Sequence, residues 1–278
     1  MLLVTGATGN VGRNVVAQLL DAGEKVRAIT RDPGARTLPG DVEVLAGDLT
    51  RPETLPAALR GVDRAFLFPL FGALGGFFDV ARQAGLEHVV LLSSSAVTLP
   101  SPGWIGDRHL ECESAVAASG LSWTYVRPGA FMANDLAWAA QIAAGGVVRG
   151  AYGRASTAPI DERDIAAVAV RSLLAPRPGM AYELTGPESL TQIDRVRIIG
   201  ETIGSPLRFE EVPAEQIRRQ LIERIPPQGA DFLLARLAEA QDGAAETLPT
   251  VEEVTGRPAF GYAEWVAHRA ADFDPGAR

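Results

Sequence analysis

Three glycines, Gly6, Gly9 and Gly12, punctuate the segment LLVTGATGNVGR, between an apolar run and a stretch of helical apolar spacing. A strand, a glycine-rich turn and a helix in that order make a cradle for phosphate. One glycine permits the sharp turn, one lets the backbone approach a pyrophosphate, and one lets helix and strand pack closely. The helix amino terminus then presents unpaired N–H groups and the positive end of its dipole, with Thr8, Asn10 and Val11 in the same loop. The spacing G-x-x-G-x-x-G is looser than G-x-G-x-x-G. It also lacks the Gly-Lys-Ser/Thr ending of a triphosphate-binding loop. It points to a dinucleotide.

The end of the next apolar run, Ile29-Thr30-Arg31-Asp32, bears on which dinucleotide. An acid at this place meets the ribose 2′-hydroxyl of NAD. Here Arg31 offers a two-pronged contact to a 2′-phosphate, and Asp32 is expected to point away or to cap a turn before Pro33. NADPH is the expected cofactor; an ordinary solvated arginine is the plainer reading of Arg31. In GDLT, Asp48 and the adjacent Leu49 lie where an adenine edge could be met. Asp48 fits equally well as a turn cap before Pro52.

These side chains need a scaffold, and the first half of the chain supplies its rhythm. Apolar runs at Met1–Thr5, Lys25–Thr30, Val42–Leu45, Arg64–Phe68, His88–Leu92 and Ser122–Val126 read as buried strands. Between them, Val11–Ala22, Pro52–Arg60, Phe77–Ala84 and Arg108–Ala118 read as helices, each followed closely by glycine. The expected fold is α/β: a doubly wound parallel Rossmann sheet over residues 1–150. Residues 151–278 are expected to form a smaller, mainly helical cap that binds substrate, with some segments returning to the core. Helices are expected at Ile165–Leu174, Ala214–Glu223 and Asp231–Ala240, and a strand at Ala181–Leu184. Ile225-Pro226-Pro227 forbids one continuous helix between the last two.

Bulk properties exclude several classes. The net charge of -8 argues against nucleic acid as the main partner. Cys112 is the sole cysteine, so no internal disulfide forms, in keeping with a reducing cytoplasm. No apolar run is long enough to span a bilayer. With a first strand expected from Met1, no signal peptide is expected. The three histidines lie far apart, so no metal ligand set is expected. The expectation is a cytoplasmic monomer or homodimer.

The motifs TGATGNVG, AITRDP, GDLTRPETL, HVVLLSSSAV and SGLSWTYVRPGAFMAN follow in order, and DERDIAAVAV, YELTGPESLT and VTGRPAFGYAEWVAHRAADF extend the series. Together they resemble the atypical short-chain dehydrogenase/reductases of the NmrA-like subgroup, over nearly the whole chain. That resemblance implies a Rossmann core, NADPH and a carboxyl-terminal substrate region. It also implies one of two activities: reduction of quinones, carbonyls or aromatic ethers, or regulation by cofactor binding without turnover.

In the catalytic short-chain reductases, a Tyr-x-x-x-Lys pair on the helix after the fifth strand supplies the proton and holds the nicotinamide ribose. This chain lacks the pair. Its only lysine is Lys25, and its tyrosines are Tyr125, Tyr152, Tyr182 and Tyr262. An ungapped register puts Ile105 at the tyrosine position and His109 at the lysine position. His109 could bond the ribose hydroxyls, donate a proton, or merely pair with Glu113 one turn on. Ser93, Ser94 and Ser95 stand where the family's carbonyl-orienting serine sits, with Ser94 the leading candidate; strand-end hydroxyls also satisfy backbone groups. By resemblance, Phe68 and Pro69 border the cofactor, and Pro128, Gly129 and Phe131 lie beside the nicotinamide. Asn134, Trp138, Phe71 and Ser95 would face the substrate, although aromatic residues also fill cores. Asp161 and Asp164 look like a carboxylate pair, but Asp164 is read as a helix N-cap.

The expected activity is hydride transfer to the carbonyl or quinone of a flat, aromatic, largely apolar small molecule. The alternative is a non-catalytic NADP(H)-binding redox sensor acting through a protein partner.

Overall fold

The computed structural model describes residues 1–31, 38–72 and 75–273. Asp32 and Pro33 lie outside the described residues. The first half runs β1 (Leu2–Val4), α1 (Gly12–Asp21), β2 (Val26–Thr30), β3 (Glu43–Ala46), α2 (Pro56–Leu59), β4 (Arg64–Leu67), α3 (Gly75–Gln83), β5 (His88–Leu92), α4 (Gly103–Ala118) and β6 (Ser122–Pro128). The second half runs α5 (Ala139–Ala143), β7 (Val147–Gly150), β8 (Ser156–Thr157), α6 (Glu162–Leu174), β9 (Met180–Leu184), β10 (Leu190–Thr191), α7 (Gln192–Ile203), β11 (Arg208–Glu211), α8 (Ala214–Leu221), α9 (Pro227–Glu239), α10 (Thr250–Thr255), α11 (Tyr262–His268) and α12 (Ala270–Phe273).

Seven strands form one parallel sheet in the order β3-β2-β1-β4-β5-β6-β9. Both faces are covered, which is why β1 and β5 are buried along their whole length. One apolar layer joins α1 and α6 to the sheet, with Val15, Leu19, Ile165 and Leu173 inaccessible to solvent. The opposite layer gathers Leu59, Phe77, Val116 and their neighbours. Strand order reverses between β1 and β4, and a crevice opens there at the carboxyl ends of the strands.

The second half divides its duties. The parallel register from Thr124–Met180 to Pro128–Leu184 adds β9 to the central sheet. A separate core gathers Met132, Ile142, Val148, Ile199, Tyr262, Trp265 and Phe273. Small sheets pair β7 with β11 and β8 with β10. Helices α8 and α9 pack together, and Phe232 of α9 presses on the backbone of Gly103 at the start of α4.

Three local readings change. Residues 52–60 are not one helix: Pro52–Thr54 is a 3-10 turn and α2 begins afresh at Pro56, whose missing N–H interrupts the ladder. Helix α4 starts at Gly103, five residues before the expected Arg108. The cap of α6 is Asp161, which accepts the Arg163 N–H at 2.7 Å, not Asp164. Asp164 instead accepts the Phe260 N–H at 2.8 Å and meets Arg257 at 2.7 Å. That fixes the carboxyl-terminal segment to α6.

Candidate active site

Gly6 adopts φ +62°, and a Cβ there would lie 2.8 Å from the Phe68 side chain. A Cβ on Gly12 would stand 2.1 Å from the Gly6 carbonyl oxygen, so the first turn of α1 can close on the loop only without a side chain. Gly9 donates its N–H to that same carbonyl at 2.9 Å. Among the described residues, nothing accepts the N–H groups of Thr8, Asn10, Val11 and Gly12. Arg13 holds the Asn10 side chain at 2.6 Å, and the buried Val11 anchors the turn below. A row of unsatisfied amides at a helix start, with no side chain on Gly9, fits a pyrophosphate.

Beside this loop lies a cleft of about 370 Å³. It brings together Gly6, Thr8, Arg31, Asp48, Leu49, Phe68 and Pro69 of the sequence candidates. Thr5 closes its floor: its hydroxyl donates to Phe66 O at 3.2 Å and accepts the Phe68 N–H at 2.8 Å, joining the ends of β1 and β4. The Thr50 N–H and hydroxyl both donate to Asp48 Oδ1, at 2.9 and 2.7 Å, and these bonds hold the Asp48 carboxyl below its usual range. Asp48 is therefore a turn anchor that also lines the cleft. Thr5, Leu38, Thr50 and Leu70 also line it and were not singled out from the sequence. The T-G-A-T-G context marked Thr5, had its hydroxyl been weighed.

At the ends of β5 and β6 the geometry differs. Ser93 donates its hydroxyl to Glu113 at 2.6 Å, in the buried layer. Glu113 also receives Arg127 through two bonds, at 2.9 and 2.7 Å, and its backbone carbonyl accepts the Tyr125 hydroxyl. Ser94 accepts the Ala96 N–H at 3.2 Å at the start of a 3-10 turn, Ser95–Thr98, and is half-buried. Ser95 Oγ faces Gly129. His109 makes no bond to Glu113. Its ring meets Phe71 edge-on at 5.2 Å, Nδ1 is buried with no partner among the described residues, and burial pushes its pKa down to about 4. The imidazole is neutral at pH 7, a hydrogen-bond donor rather than a ready acid.

Past β6, the Gly129 N–H donates to Leu184 O at 2.9 Å, fixing the turn after Pro128. Phe131 packs between the sheet core and the second core. Asn134 is exposed, on the 3-10 segment Met132–Trp138. Trp138 packs on the second core with Arg195 5.1 Å from its ring centre. That segment is anchored by a group the sequence reading missed: Asp135 is buried, paired with Arg195 at 2.7 Å and bonded by the Tyr262 hydroxyl at 2.6 Å.

A parallel sheet with a glycine turn at its switch point and a helix lacking the Tyr–Lys pair defines an atypical short-chain reductase scaffold. Residues 6–176 match the model of the NAD(P)H-binding family, and the chain belongs to that family. It is 43% identical to the (4-alkanoyl-5-oxo-2,5-dihydrofuran-3-yl)methyl phosphate reductase of Streptomyces griseus, covering 99% of this chain and 100% of that one. It is 37% identical to the NAD(P)H azoreductase of Xenophilus azovorans, covering 98% and 99%. The crystal structure of an NADPH-dependent quinone oxidoreductase from Escherichia coli matches with a TM-score of 0.81 at 27% identity, covering 97% and 100%, and its NADPH complex matches as well, at 26% identity. The chain is an NAD(P)H-dependent oxidoreductase. Among its described residues, no helix is long and apolar enough to cross a membrane.

Proposed function

We propose that the protein uses NADPH to reduce a flat, conjugated, largely apolar acceptor, the carbonyl or quinone of an aromatic small molecule, without a Tyr–Lys pair. The observation that carries this is where the candidate proton donors sit. Tyr125 gives its hydroxyl to the Glu113 carbonyl and Tyr262 gives its own to Asp135; Tyr182 lies on β9 beside Arg171 and Val254, Tyr152 lies between β7 and β8, and Lys25 precedes β2. An acceptor that spreads negative charge over a conjugated system needs no strong acid at the moment of hydride transfer. A dihydrofuranone bearing an acyl group, an azo compound and a quinone, the acceptors that the relatives' names give, all have that property.

The amides of Thr8, Asn10, Val11 and Gly12 would hold the pyrophosphate, and Arg31 the 2′-phosphate. His109 would donate its ring N–H to the nicotinamide ribose. When bound, the reduced cofactor supplies a hydride, two electrons with one proton, and water supplies the second proton. Phe71, 38% exposed, offers the apolar wall that a flat acceptor needs, with Phe68 bordering the cofactor. Ser94, whose own hydrogen has no acceptor among the described residues, would bond the acceptor oxygen. Phe131 and the exposed Asn134 stand on the substrate side in this reading, with Ser95.

The test is loss of NADPH absorbance with quinones and hydroxyaryl ketones, with NADH alongside. Turnover that favours NADPH and falls about tenfold in Ser94→Ala supports the reading, that factor being the effect of one lost hydrogen bond. Tight cofactor binding with no turnover of any acceptor overturns it.

A further inference from the structure

From Arg108 we infer a subsite for an oxyanion, a phosphate, sulfonate or carboxylate carried by the acceptor; this rests on the reductase reading above. Most arginines around the second core and the strand ends are neutralised by buried carboxylates: Arg127 by Glu113, Arg195 by Asp135, Arg163 by Asp161 and Arg257 by Asp164. Arg108 is not. Its only ion pair among the described residues is a loose one, 3.5 Å to Glu111, whose side chain is 58% exposed.

The Arg108 guanidinium is nevertheless held in place. Its carbon lies 5.2 Å from the Phe71 ring centre, and the same ring meets His109 edge-on. Its Nε is shut off from solvent and, among the described residues, has no hydrogen-bond partner, as is also true of Arg195 and Arg269, while the side chain as a whole stays 33% exposed. Stripping a guanidinium N–H of water without giving it an acceptor is unfavourable and calls for a reason. A planar cation set over an aromatic ring and partly desolvated binds an oxyanion more strongly than a free surface arginine does. Its place also fits. Arg108 lies three residues after Ile105 and one before His109 on α4, next to Phe71 in the proposed acceptor wall. In a chain of net charge -8, an unneutralised cation there would steer an anionic acceptor toward the site.

The experiment compares wild type with Arg108→Gln on two acceptors, 1,2-naphthoquinone and its 4-sulfonate, and measures NADPH affinity by fluorescence. The expected result is a loss of about tenfold in kcat/KM for the sulfonate alone, the size of one charge-assisted contact, with the neutral quinone and NADPH affinity unchanged. An equal loss on both acceptors, or weakened NADPH binding, overturns the subsite. If the wild type reduces neither quinone, the reductase reading has failed and the subsite is judged by binding. Naphthalene-1-sulfonate is then titrated into protein saturated with NADP+. A weaker Kd in Arg108→Gln upholds the oxyanion site, and an equal Kd removes it.

Discussion

Glu113 and His109 are one helical turn apart on α4, yet the Glu113 carboxylate turns to Ser93 and Arg127 and leaves the imidazole alone. The choice follows from geometry. Arg127 presents two parallel donors from β6, and a two-pronged contact outcompetes a single ring N–H. Glu113 is thus a tie between the ends of β5 and β6, the strand ends that carry Ser94 and Pro128.

Removing that tie should be felt in stability. Glu113→Ala leaves Arg127 charged and half-enclosed, and breaking a buried pair from one side costs about 3 kcal/mol. Urea denaturation should show the loss, and pairing the change with Arg127→Met should recover part of it. A midpoint unchanged in Glu113→Ala would mean that the network contributes nothing.

The histidines set a direction for acid stability. Burial pushes His88 and His109 down to about 4, and His88 is only 3% exposed. The folded state favours the neutral rings. Their stabilising contribution is complete above the unfolded value and is lost as pH falls from about 6.5 toward 4, by up to about 1.4 kcal/mol per pH unit for His88. Unfolding midpoints taken from pH 7 to pH 4.5 should fall less steeply in His88→Gln. Turnover between pH 6 and 8 should show no inflection that disappears in His109→Gln.

Two glycine substitutions should separate binding from folding. Gly12→Ala puts a methyl 2.1 Å from the Gly6 carbonyl and should destabilise the whole protein. Gly9→Ala makes only a tight 3.2 Å contact there and should leave the thermal midpoint nearly in place. If the loop holds the pyrophosphate as proposed, the methyl would stand in its approach, and NADPH affinity should fall by about tenfold or more. Calorimetry and cofactor titration on the two variants would expose a wrong assignment of either glycine.

Arg31→Ala should weaken NADPH by about 10- to 100-fold and leave NADH nearly unchanged, because only the former carries the 2′-phosphate that the guanidinium would meet. Equal effects on the two cofactors would assign Arg31 to the adenine or to solvent.

The first half was readable because a buried parallel strand is a short continuous apolar run, and its helices stop at glycines with positive φ such as Gly23, Gly85 and Gly120. The second half hid its elements. The β7 segment VVRG and the β11 segment RFEE are four residues each and find each other across some sixty residues, so no local period announces them. Helix α7 did carry a signal, the Thr191–Asp194 capping box, but its apolar stripe is broken by Arg195, whose charge is buried against Asp135. Asp161 and Asp164 are chemically alike; Asp161 caps because α6 begins at the next residue, which places Asp164 inside the first turn, where it binds the Phe260 N–H instead. The glycine loop was legible because its chemistry is local, whereas Thr5, Leu38, Thr50 and Leu70 went unmarked because only the fold brings their separate segments to one cleft. The ties of Ser93 and Trp138 are tertiary and left no mark in spacing.

The pairing of β6 with β9 has a consequence for biosynthesis. Until residue 184 has left the ribosome, β6 is an open edge, and the nascent sheet exposes to any passing strand the backbone groups between Thr124 and Pro128 that later bond β9. A fragment ending near residue 150 would keep the whole glycine loop and still be a candidate for aggregation or chaperone capture, because the strand that seals its sheet is made last.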